Sequence, residues 1–351
     1  MSQSNSISRL CLFAHFDKDN IIDEYVIFYL RDIRKVASKI IFISTSSLSP
    51  EMTATLGNIC DSIIIKKNEG YDFASWHAAL KLEKLENYDE LILCNDSVYG
   101  PFFPLKQIFS EMTGVECDFW GMTSNYDIAY HVQSYFLVFR KSVLASRVFQ
   151  EFWENMEISQ SKANVVRSCE VGLSQILLNA GFKNSTYVQY RFLFRHAIFY
   201  RIRFHLVRTG RNIIGDLRAS LFSINQRQKG YSDRRIAVRM ITYMIGFILQ
   251  SRNIIRNGYS IIIDFICYPG KKINHLFSYF KNILRSMNVT HFLWKPLILY
   301  YKMPFIKVDL LRDNRMAMDV DDYAEVISMV SDYNIEMIES HLKRVKISSD
   351  T

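Results

Sequence analysis

The sequence lacks the cysteine patterns of disulfide-bonded and zinc-binding proteins. Its six cysteines form no C-x-x-C pair and do not cluster with histidine. We therefore expect reduced, mostly buried thiols, as in a protein of the cytosol. The N-terminus carries an apolar stretch of only seven residues without a small-residue cleavage site behind it, so it does not predict a secretory signal.

Three motifs of common enzyme classes are also absent. The sequence contains no G-x-x-x-x-G-K-[ST], no G-x-G-x-x-G after its first predicted strand, and no G-x-S-x-G. The sequence therefore offers no motif evidence for four enzyme classes: kinases, other P-loop enzymes, ordinary dinucleotide-binding enzymes and hydrolases with a serine triad.

Positive charge is concentrated in one segment. The 351 residues carry a net charge of +8, yet residues 191–302 alone hold 14 Arg and 6 Lys against three Asp, a net of +17. The rest of the chain is therefore acidic, at −9. Basic regions of this kind commonly contact phosphates, either in nucleic acid or in anionic lipid.

The apolar residues of this basic segment favour a membrane surface over a membrane span. Residues 239–272 contain two apolar runs of about ten residues, interrupted by Arg252 and Arg256, whereas a spanning helix needs about 20 apolar residues. Arginines interleaved with large apolar side chains are typical of helices in the membrane interface. An ordinary helical subdomain with a solvated basic face is the alternative, and no recognised module supports nucleic-acid binding.

The first 140 residues alternate between strand and helix patterns. Short apolar runs without polar alternation, typical of strands covered on both faces, are separated by segments with helical spacing, among them a predicted helix over 74–85. This β-α-β order predicts an α/β fold, with a mostly parallel, doubly wound sheet flanked by helices. The strand runs are 10–15, 39–45, 62–67 and 90–93.

Polar side chains follow three of these strands. Ligands of doubly wound sheets bind beyond the carboxyl ends of the strands, so we expect the three clusters to meet at one edge. Ordinary loop chemistry would explain any one of them alone. The clusters are His15 and Asp17, then Asn68, Gly70, Tyr71 and Asp72, then Asn95, Asp96 and Ser97.

A further carboxylate lies on a predicted helix over 164–181. Glu170 shares one helix face with three apolar residues, Val166, Leu173 and Leu177. Burial raises the pKa of a carboxylate and so brings a general base near neutrality, which makes Glu170 a candidate base. The alternative is a structural role, in which Glu170 pairs with Arg167 or caps a neighbouring loop.

Several stretches, in this order, resemble the rhamnan synthesis protein F family. The resemblance covers about residues 8–190 and 288–314 and leaves 191–287 uncovered. Each stretch is weak alone, but the ordered set is specific. The stretches are KNEGYDFASW (67–76), LILCNDSVYGPF (91–102), DFWGMT (118–123), HVQSYFLVF (131–139), CEVGLSQILLNAGF (169–182) and NVTHFLWKPLILYYKMPFIKVDLLRDN (288–314).

The resemblance implies a GT-A-like glycosyltransferase with a Rossmann-type nucleotide-binding half. By this likeness, Asp96 stands where such enzymes hold a divalent metal, Asp72 where a carboxylate contacts the nucleoside, and Glu170 where an inverting enzyme has its base. The implied donor-binding residues are His15, Asp17, Asn68, Gly70, Asp72, Asn95 and Ser97. The implied acceptor-binding residues are Asp118, Trp120, His131 and Gln133.

The N-D-S loop (residues 95–97) departs from the D-x-D motif of such enzymes, because it offers one carboxylate instead of two. Asp96 with Mg²⁺ or Mn²⁺ would neutralise the leaving diphosphate, with His291 as a candidate second ligand, or Arg and Lys would do so without a metal. Glu170 would accept the proton of the acceptor hydroxyl.

The sequence thus predicts a catalytic domain over 8–190, a basic, helical, membrane-proximal segment over 191–287, and a segment over 288–351 that completes the catalytic domain. The expected function is transfer of a deoxyhexose, such as rhamnose, from a donor like dTDP-rhamnose to a lipid-linked or growing surface polysaccharide. The protein would lie peripherally at the cytoplasmic face of an anionic membrane, and no nucleic-acid partner is expected. The alternative is a non-catalytic partner that binds a glycan or nucleotide sugar in a polysaccharide assembly complex.

Overall fold

A seven-stranded mixed sheet forms the centre of the computed structural model, which describes residues 7–189 and 288–347. Its strand order is β3-β2-β1-β4-β9-β6-β10. Two short two-stranded sheets pair β5 with β11 and β7 with β8. The strands are β1 (Arg9–His15), β2 (Lys39–Ser44), β3 (Ser62–Ile65), β4 (Glu90–Asn95), β5 (Val98–Tyr99), β6 (Phe119–Gly121), β7 (Ser124–Asn125), β8 (His131–Val132), β9 (Phe136–Arg140), β10 (Asn184–Thr186) and β11 (Ile306–Lys307).

Most neighbouring strands of the large sheet are parallel. β3, β2, β1 and β4 run in one direction, β9 is antiparallel to both β4 and β6, and β10 is parallel to β6. This confirms the predicted α/β class with a mostly parallel sheet flanked by helices. The predicted basic helical segment, 191–287, lies outside the described residues.

Helices cover the sheet. Among the described residues, no helix is both long and apolar enough to cross a bilayer. The helices are α1 (Glu24–Ile33), α2 (Pro50–Gly57), α3 (Tyr71–Leu80), α4 (Leu105–Thr113), α5 (Lys141–Leu144), α6 (Arg147–Glu154), α7 (Lys162–Val165), α8 (Gly172–Asn179), α9 (Val289–Phe292), α10 (Trp294–Tyr301), α11 (Val308–Arg312), α12 (Tyr323–Ser328) and α13 (Glu336–Ile347). A 3-10 turn occupies Leu85–Asn87 and a π-helical turn occupies Val166–Val171.

The core explains why the central strands carry unbroken apolar runs. Every residue of β4 is buried, and β1 is buried from Leu10 onward, because helices cover both faces. On one face Trp76 of α3 is fully buried among side chains from β1, β4 and α8. On the other face the ring of Phe13 stacks on that of Phe42 at 5.7 Å between centroids. Burial of this kind contributes about 25 cal/mol for each Å² of apolar surface.

Residues 288–347 dock against the turn that follows β4. β11 pairs in antiparallel register with β5, which places Lys307 opposite Val98. The backbone N–H of Phe102 donates to the carbonyl of Pro304 at 2.8 Å. A buried hydrogen bond of 2.6 Å joins the Tyr99 hydroxyl to Nδ1 of His341 on α13. The C-terminal residues are therefore fixed beside the N-D-S loop.

Two predicted helices differ from those observed. α3 begins at Tyr71, earlier than predicted, because Gly70 adopts a left-handed conformation (φ +73°) that turns the chain into the helix. The predicted single helix over 164–181 is α7, a π-helical turn and α8 in succession. An apolar pattern at helical spacing does not distinguish an α-helical turn from a π-helical one.

Replacing Gly70 with alanine is expected to destabilise the protein by about 1–3 kcal/mol. The new Cβ would lie 2.6 Å from Cβ of Ala74 and 2.7 Å from Cγ2 of Ile158, at a φ that alanine rarely adopts. Gly57→Ala is the matched control, because its Cβ would meet nothing within 4 Å. Urea unfolding should show a lower midpoint for Gly70→Ala only, and equal midpoints would contradict the prediction.

Candidate functional site

A cleft of about 860 Å³ lies beyond the carboxyl ends of β1, β3 and β4. The three predicted polar clusters meet there, as the strand-end rule requires. Glu170, from the π-helical turn, and His291, from α9, also line it. The cluster residues on the cleft wall are His15, Asp17, Asn68, Tyr71, Asp72, Asn95, Asp96 and Ser97.

The Asn95 side chain connects two groups of the cleft. Its Nδ2 donates to Oδ2 of Asp72 at 2.6 Å. Its Oδ1 accepts from the backbone N–H of Ser97 at 3.2 Å and from the Ser97 hydroxyl at 2.6 Å. The Ser97 hydroxyl oxygen in turn accepts from Nζ of Lys307 at 3.1 Å. A chain of hydrogen bonds therefore fixes an acid and an ammonium on either side of the N-D-S loop.

The side chains of Asp96 and His15 face each other, and burial shifts the pKa of each group toward its neutral form. Nε2 of His15 lies 3.9 Å from Oδ2 of Asp96, and its Nδ1 lies 2.9 Å from the Ser44 hydroxyl. Burial lowers the pKa of His15 to about 4, so the ring is neutral near pH 7. Burial and the neighbouring Asp72 raise the pKa of Asp96 to about 8, although the Phe16 N–H donates to its Oδ2 at 3.0 Å. Asp96 is thus a carboxyl that an added cation would ionise.

Glu170 both lines the cleft and caps a loop. Its Oε1 accepts from the backbone N–H of Ser134 at 2.8 Å and from the Ser134 hydroxyl at 2.9 Å. This is the loop-capping alternative considered from the sequence, whereas no ion pair with Arg167 forms in the described chain. π-helical turns are frequent at functional sites, and the turn over 166–171 directs this carboxylate into the cleft. The capping contact holds the carboxylate in place and does not remove it from the site.

Asp17 is held by the C-terminal helix. Arg344 of α13 contacts three carboxylates, with Nη2 at 2.7 Å from Asp17 and 2.6 Å from Asp23, and Nη1 at 2.7 Å from Asp19. Burial alone would raise the pKa of Asp17, but hydrogen bonds from Arg344 and from the backbone of Ile21 outweigh it and hold the pKa below its ordinary value. Asp17 therefore ties α13 to the loop after β1.

Replacing Arg344 with methionine is expected to destabilise the protein by on the order of 2 kcal/mol, because partly buried carboxylates lose their cation. The pKa of Asp17 is depressed, so its contribution is present above pH 4 and is lost as the pH falls through the folded value. Thermal unfolding at pH 7 and at pH 3 should show a deficit that shrinks in acid. Lys343→Met, at an exposed neighbour, is the control; a deficit equal at both pH values would contradict the ion-pair explanation.

The described residues contain one group of three whose ligand atoms lie close enough to hold a metal, within 4.8 Å of one another: Asp17, Asp23 and His341. Arg344 already supplies positive charge to its two carboxylates. The predicted metal ligand His291 has Nε2 at 3.2 Å from Oδ1 of Asp309. The structure therefore does not bring Asp96 and His291 into a three-ligand cluster among the described residues.

Three predicted acceptor-binding residues do not line the cleft. Asp118 precedes β6, which runs in the same direction as β4, so it lies at the opposite edge of the sheet, where Ser142 and the Lys183 N–H donate to it, each at 2.7 Å. Trp120 is 1% exposed and packs in the core. His131 is buried on β8, with Nδ1 2.9 Å from the carbonyl of Ala129.

Two other predicted residues also need correction or refinement. Gly70 does not line the cleft, and its role is the left-handed turn before α3. Gln133 does line the cleft, although its Oε1 accepts from the Thr123 hydroxyl at 2.7 Å. Gln133 is therefore the one acceptor candidate from the sequence that the structure brings to the site.

Sequence reasoning missed the basic residues of the cleft. Lys162, Lys307, Arg312 and Arg315 all line it. Three of them lie in the stretch over 288–314 or directly after it, so the family-like residues FIKVDLLRDN (305–314) were the available signal. That stretch gave no indication of which loop it would contact.

The fold and the cleft define a Rossmann-type α/β protein with a polar cleft at the carboxyl edge of its sheet. The chain belongs to the rhamnan synthesis protein F family, whose sequence model matches residues 40–244.

Two curated proteins are similar to this chain. Virulence protein VirA of Vibrio anguillarum is 25% identical over 269 residues, which are 75% of this chain and 66% of that protein. Uncharacterized protein y4gN of Sinorhizobium fredii is 30% identical over 136 residues, which are 36% of this chain and 35% of that protein. The chain thus spans about a third of one relative and slightly less than two thirds of the other.

Solved structures with a partial likeness include two transferases and a synthase. A cytidylyltransferase from Leptospira borgpetersenii has a TM-score of 0.31 and 11% identity, covering 52% of this chain and 77% of that one. A putative nucleotide-diphospho-sugar transferase from Desulfovibrio desulfuricans has a TM-score of 0.30 and 12% identity, covering 50% and 78%. Core-mannan synthase A from Aspergillus fumigatus, in an Mn/GDP form, has a TM-score of 0.30 and 10% identity, covering 44% and 65%.

Proposed function

We propose that this protein is a glycosyltransferase that uses a nucleotide-sugar donor in surface polysaccharide synthesis. The observation that carries the proposal is the meeting of Asp72, Asp96, Glu170 and Lys307 in one cleft at the carboxyl edge of the sheet. Its volume, about 860 Å³, suits a ligand of nucleotide-sugar size. Membership of the rhamnan synthesis protein F family supports the polysaccharide context.

The cleft contains the groups that sugar transfer requires. Asp72, held by the Asn95 amide at 2.6 Å, would accept hydrogen bonds from the nucleoside. Glu170, held by Ser134, would take the proton of the acceptor hydroxyl as its oxygen attacks the anomeric carbon. Gln133, beside it on the cleft wall, would contact the acceptor. Negative charge would develop on the departing diphosphate, and basic residues of the cleft such as Lys307 would stabilise it.

The ligand atoms of the cleft fit a magnesium or manganese ion that is also bound by the phosphates of the nucleotide sugar. Mg²⁺ is commonly bound by one or two carboxylates together with substrate phosphates and water, and Asp96 supplies one carboxylate. Neutral His15, whose Nε2 lies 3.9 Å from Asp96, would add a ligand that Mn²⁺ accepts. Such an ion would supply positive charge to the diphosphate. His291 is the remaining candidate ligand, on the cleft wall but beside Asp309.

The family and the charge pattern also suggest the donor sugar, the acceptor and the location of the protein. We propose a deoxyhexose donor such as dTDP-rhamnose, inverting transfer, and a lipid-linked or growing glycan as acceptor. The basic segment over 191–287, which lies outside the described residues, would hold the protein at an anionic membrane surface on the cytoplasmic side. Flotation with anionic and with neutral vesicles tests this association.

A second candidate function is supported by the site itself. Glu170 caps the Ser134 loop, and the N-D-S loop has one carboxylate. Both facts fit a non-catalytic partner that binds a nucleotide sugar or glycan within a polysaccharide assembly complex. The two functions differ in turnover and not in binding.

A thermal-shift screen of nucleotide sugars, with and without Mn²⁺, tests the proposed function. A ligand present at 100 times its Kd should stabilise the protein by about 2.7 kcal/mol. Asp72→Ala in the cleft should abolish the shift, whereas Asp118→Ala at the opposite sheet edge should retain it. Absence of any shift across UDP-, GDP-, CDP- and dTDP-sugars would overturn the proposal, and binding without transfer to any acceptor would favour the non-catalytic partner.

A further inference from the structure

Lys307 is fixed against the N-D-S loop by both its backbone and its side chain. It is the last residue of β11, and the antiparallel register with β5 sets it opposite Val98. The next N–H, of Val308, donates to the carbonyl of Ser97 at 3.0 Å. The ammonium donates to the Ser97 hydroxyl at 3.1 Å and lies 4.6 Å from the centre of the Tyr135 ring. A cation held in this way on the cleft wall has little freedom to move.

The Lys307 ammonium is not paired with a carboxylate within the described residues. Burial lowers its pKa, while Asp309, Glu170 and Asp72 act on it through space and oppose that change. Taking an ammonium out of water is costly unless an anion or several acceptors meet it. Lys307 therefore retains donors for a ligand.

The cleft arginines are already engaged by carboxylates. Arg312 has Nε at 2.7 Å from Oδ1 of Asp313, and Arg315 lies 3.7 Å from the same carboxylate. Arg344 does not line the cleft, but it contacts two aspartates that do, Asp17 and Asp23. An incoming anion would have to displace these direct contacts at the arginines, whereas Lys307 makes no direct contact with a carboxylate among the described residues.

We propose that Lys307 binds the phosphate groups of a nucleoside diphosphate and stabilises them as they leave, an inference that rests on the proposed function. A single carboxylate, as in the N-D-S loop, holds a metal cation less strongly than a pair of carboxylates would. Lys307 would supply the positive charge that is then lacking. In the step itself, the acceptor oxygen bonds to the anomeric carbon, and its proton goes to Glu170. The bond from that carbon to the phosphate oxygen breaks, its electron pair stays on the phosphate, and Lys307 donates a hydrogen bond there.

Calorimetric titration of the full chain with UDP, GDP, CDP and dTDP, and with each matching nucleoside, tests this role. Lys307→Met should weaken binding of the diphosphate about 10- to 100-fold, as expected for loss of a hydrogen bond to a charged group. It should leave nucleoside binding within about twofold, because nucleosides lack the phosphates. Lys106→Met on α4 removes the same charge from an exposed position outside the cleft and should change neither.

The possible results distinguish failure of the proposed function from failure of the role of Lys307. A wild-type protein that binds none of the diphosphates overturns the proposed function and this inference with it. Diphosphate binding that Lys307→Met leaves unchanged, or that only EDTA abolishes, overturns the role of Lys307 alone. Equal losses for diphosphate and nucleoside would show a damaged cleft and also overturn it. If Lys307→Met fails to fold, Lys307→Arg should bind the diphosphate more tightly than Lys307→Gln, and equal affinities would contradict the proposal.

Discussion

Replacing Glu170 with glutamine is expected to lower sugar transfer by about 10²–10⁴-fold, the usual contribution of general-base catalysis. Nucleotide affinity should not change, because the lost group acts on the acceptor. The substitution is conservative for the fold, since the amide oxygen of glutamine can still accept from the Ser134 N–H and hydroxyl. The measurement is the rate of transfer from the donor found in the screen, together with its affinity.

Ser134→Ala is the matched control for this prediction. It removes one of the two hydrogen bonds to Glu170 and keeps the backbone N–H. If Glu170 serves only to cap the loop, Glu170→Gln should be nearly as active as the wild type. A general base requires the opposite order, with Glu170→Gln far less active than Ser134→Ala.

Replacing Asp96 with asparagine is expected to have two opposite effects. Transfer should fall by about 10²–10³-fold, because the substitution removes the carboxylate that would hold the cation, and the cation neutralises the diphosphate. The ligand-free protein should become more stable near pH 8, by on the order of 2 kcal/mol, because a buried carboxyl is replaced by a group that does not ionise. Functional sites commonly reduce stability in this way.

The pH dependence of this stability gain has a definite sign. The folded pKa of Asp96, about 8, lies above its ordinary value of 3.8. Its contribution is therefore fully present below about pH 4 and is lost as the pH rises from there to about 8. The thermal midpoint of Asp96→Asn should match the wild type near pH 4 and exceed it at pH 8.

Asp17→Asn provides the control of opposite sign. The pKa of Asp17 is depressed by Arg344, so this substitution should destabilise the protein at neutral pH and not in acid. A midpoint difference for Asp96→Asn that does not change with pH would contradict the burial of its charge. Saturating Mn²⁺ should reduce the difference, because a bound cation favours the ionised carboxylate.

Two residues that the family resemblance implied as acceptor-binding, Asp118 and Trp120, lie on or directly before β6. This strand runs in the same direction as β4, so Asp118 at its start lies at the edge opposite the cleft, and Trp120 within it is buried in the core. A run such as CDFWGM predicts a buried strand, but it does not indicate which of its residues reach a ligand site.

Other features were missed because they depend on contacts between distant parts of the chain. Lys307 is 210 residues from Ser97, and Arg344 is 327 residues from Asp17. Neither residue lies in a pattern that identifies its partner. The spacing of apolar residues also does not reveal the π-helical turn from which Glu170 reaches the cleft.

The sequence by itself determined the central parallel strands and the polar clusters at their ends. It could do so because burial on both faces demands unbroken apolar runs, and because parallel strands end at a common edge. Only the tertiary structure decided which charges share the cleft: it excludes Asp118, engages Asp17 with Arg344, and brings in Lys307. Those choices depend on how residues 288–347 dock against the N-D-S loop, and docking is fixed by the complementary surfaces of the folded chain.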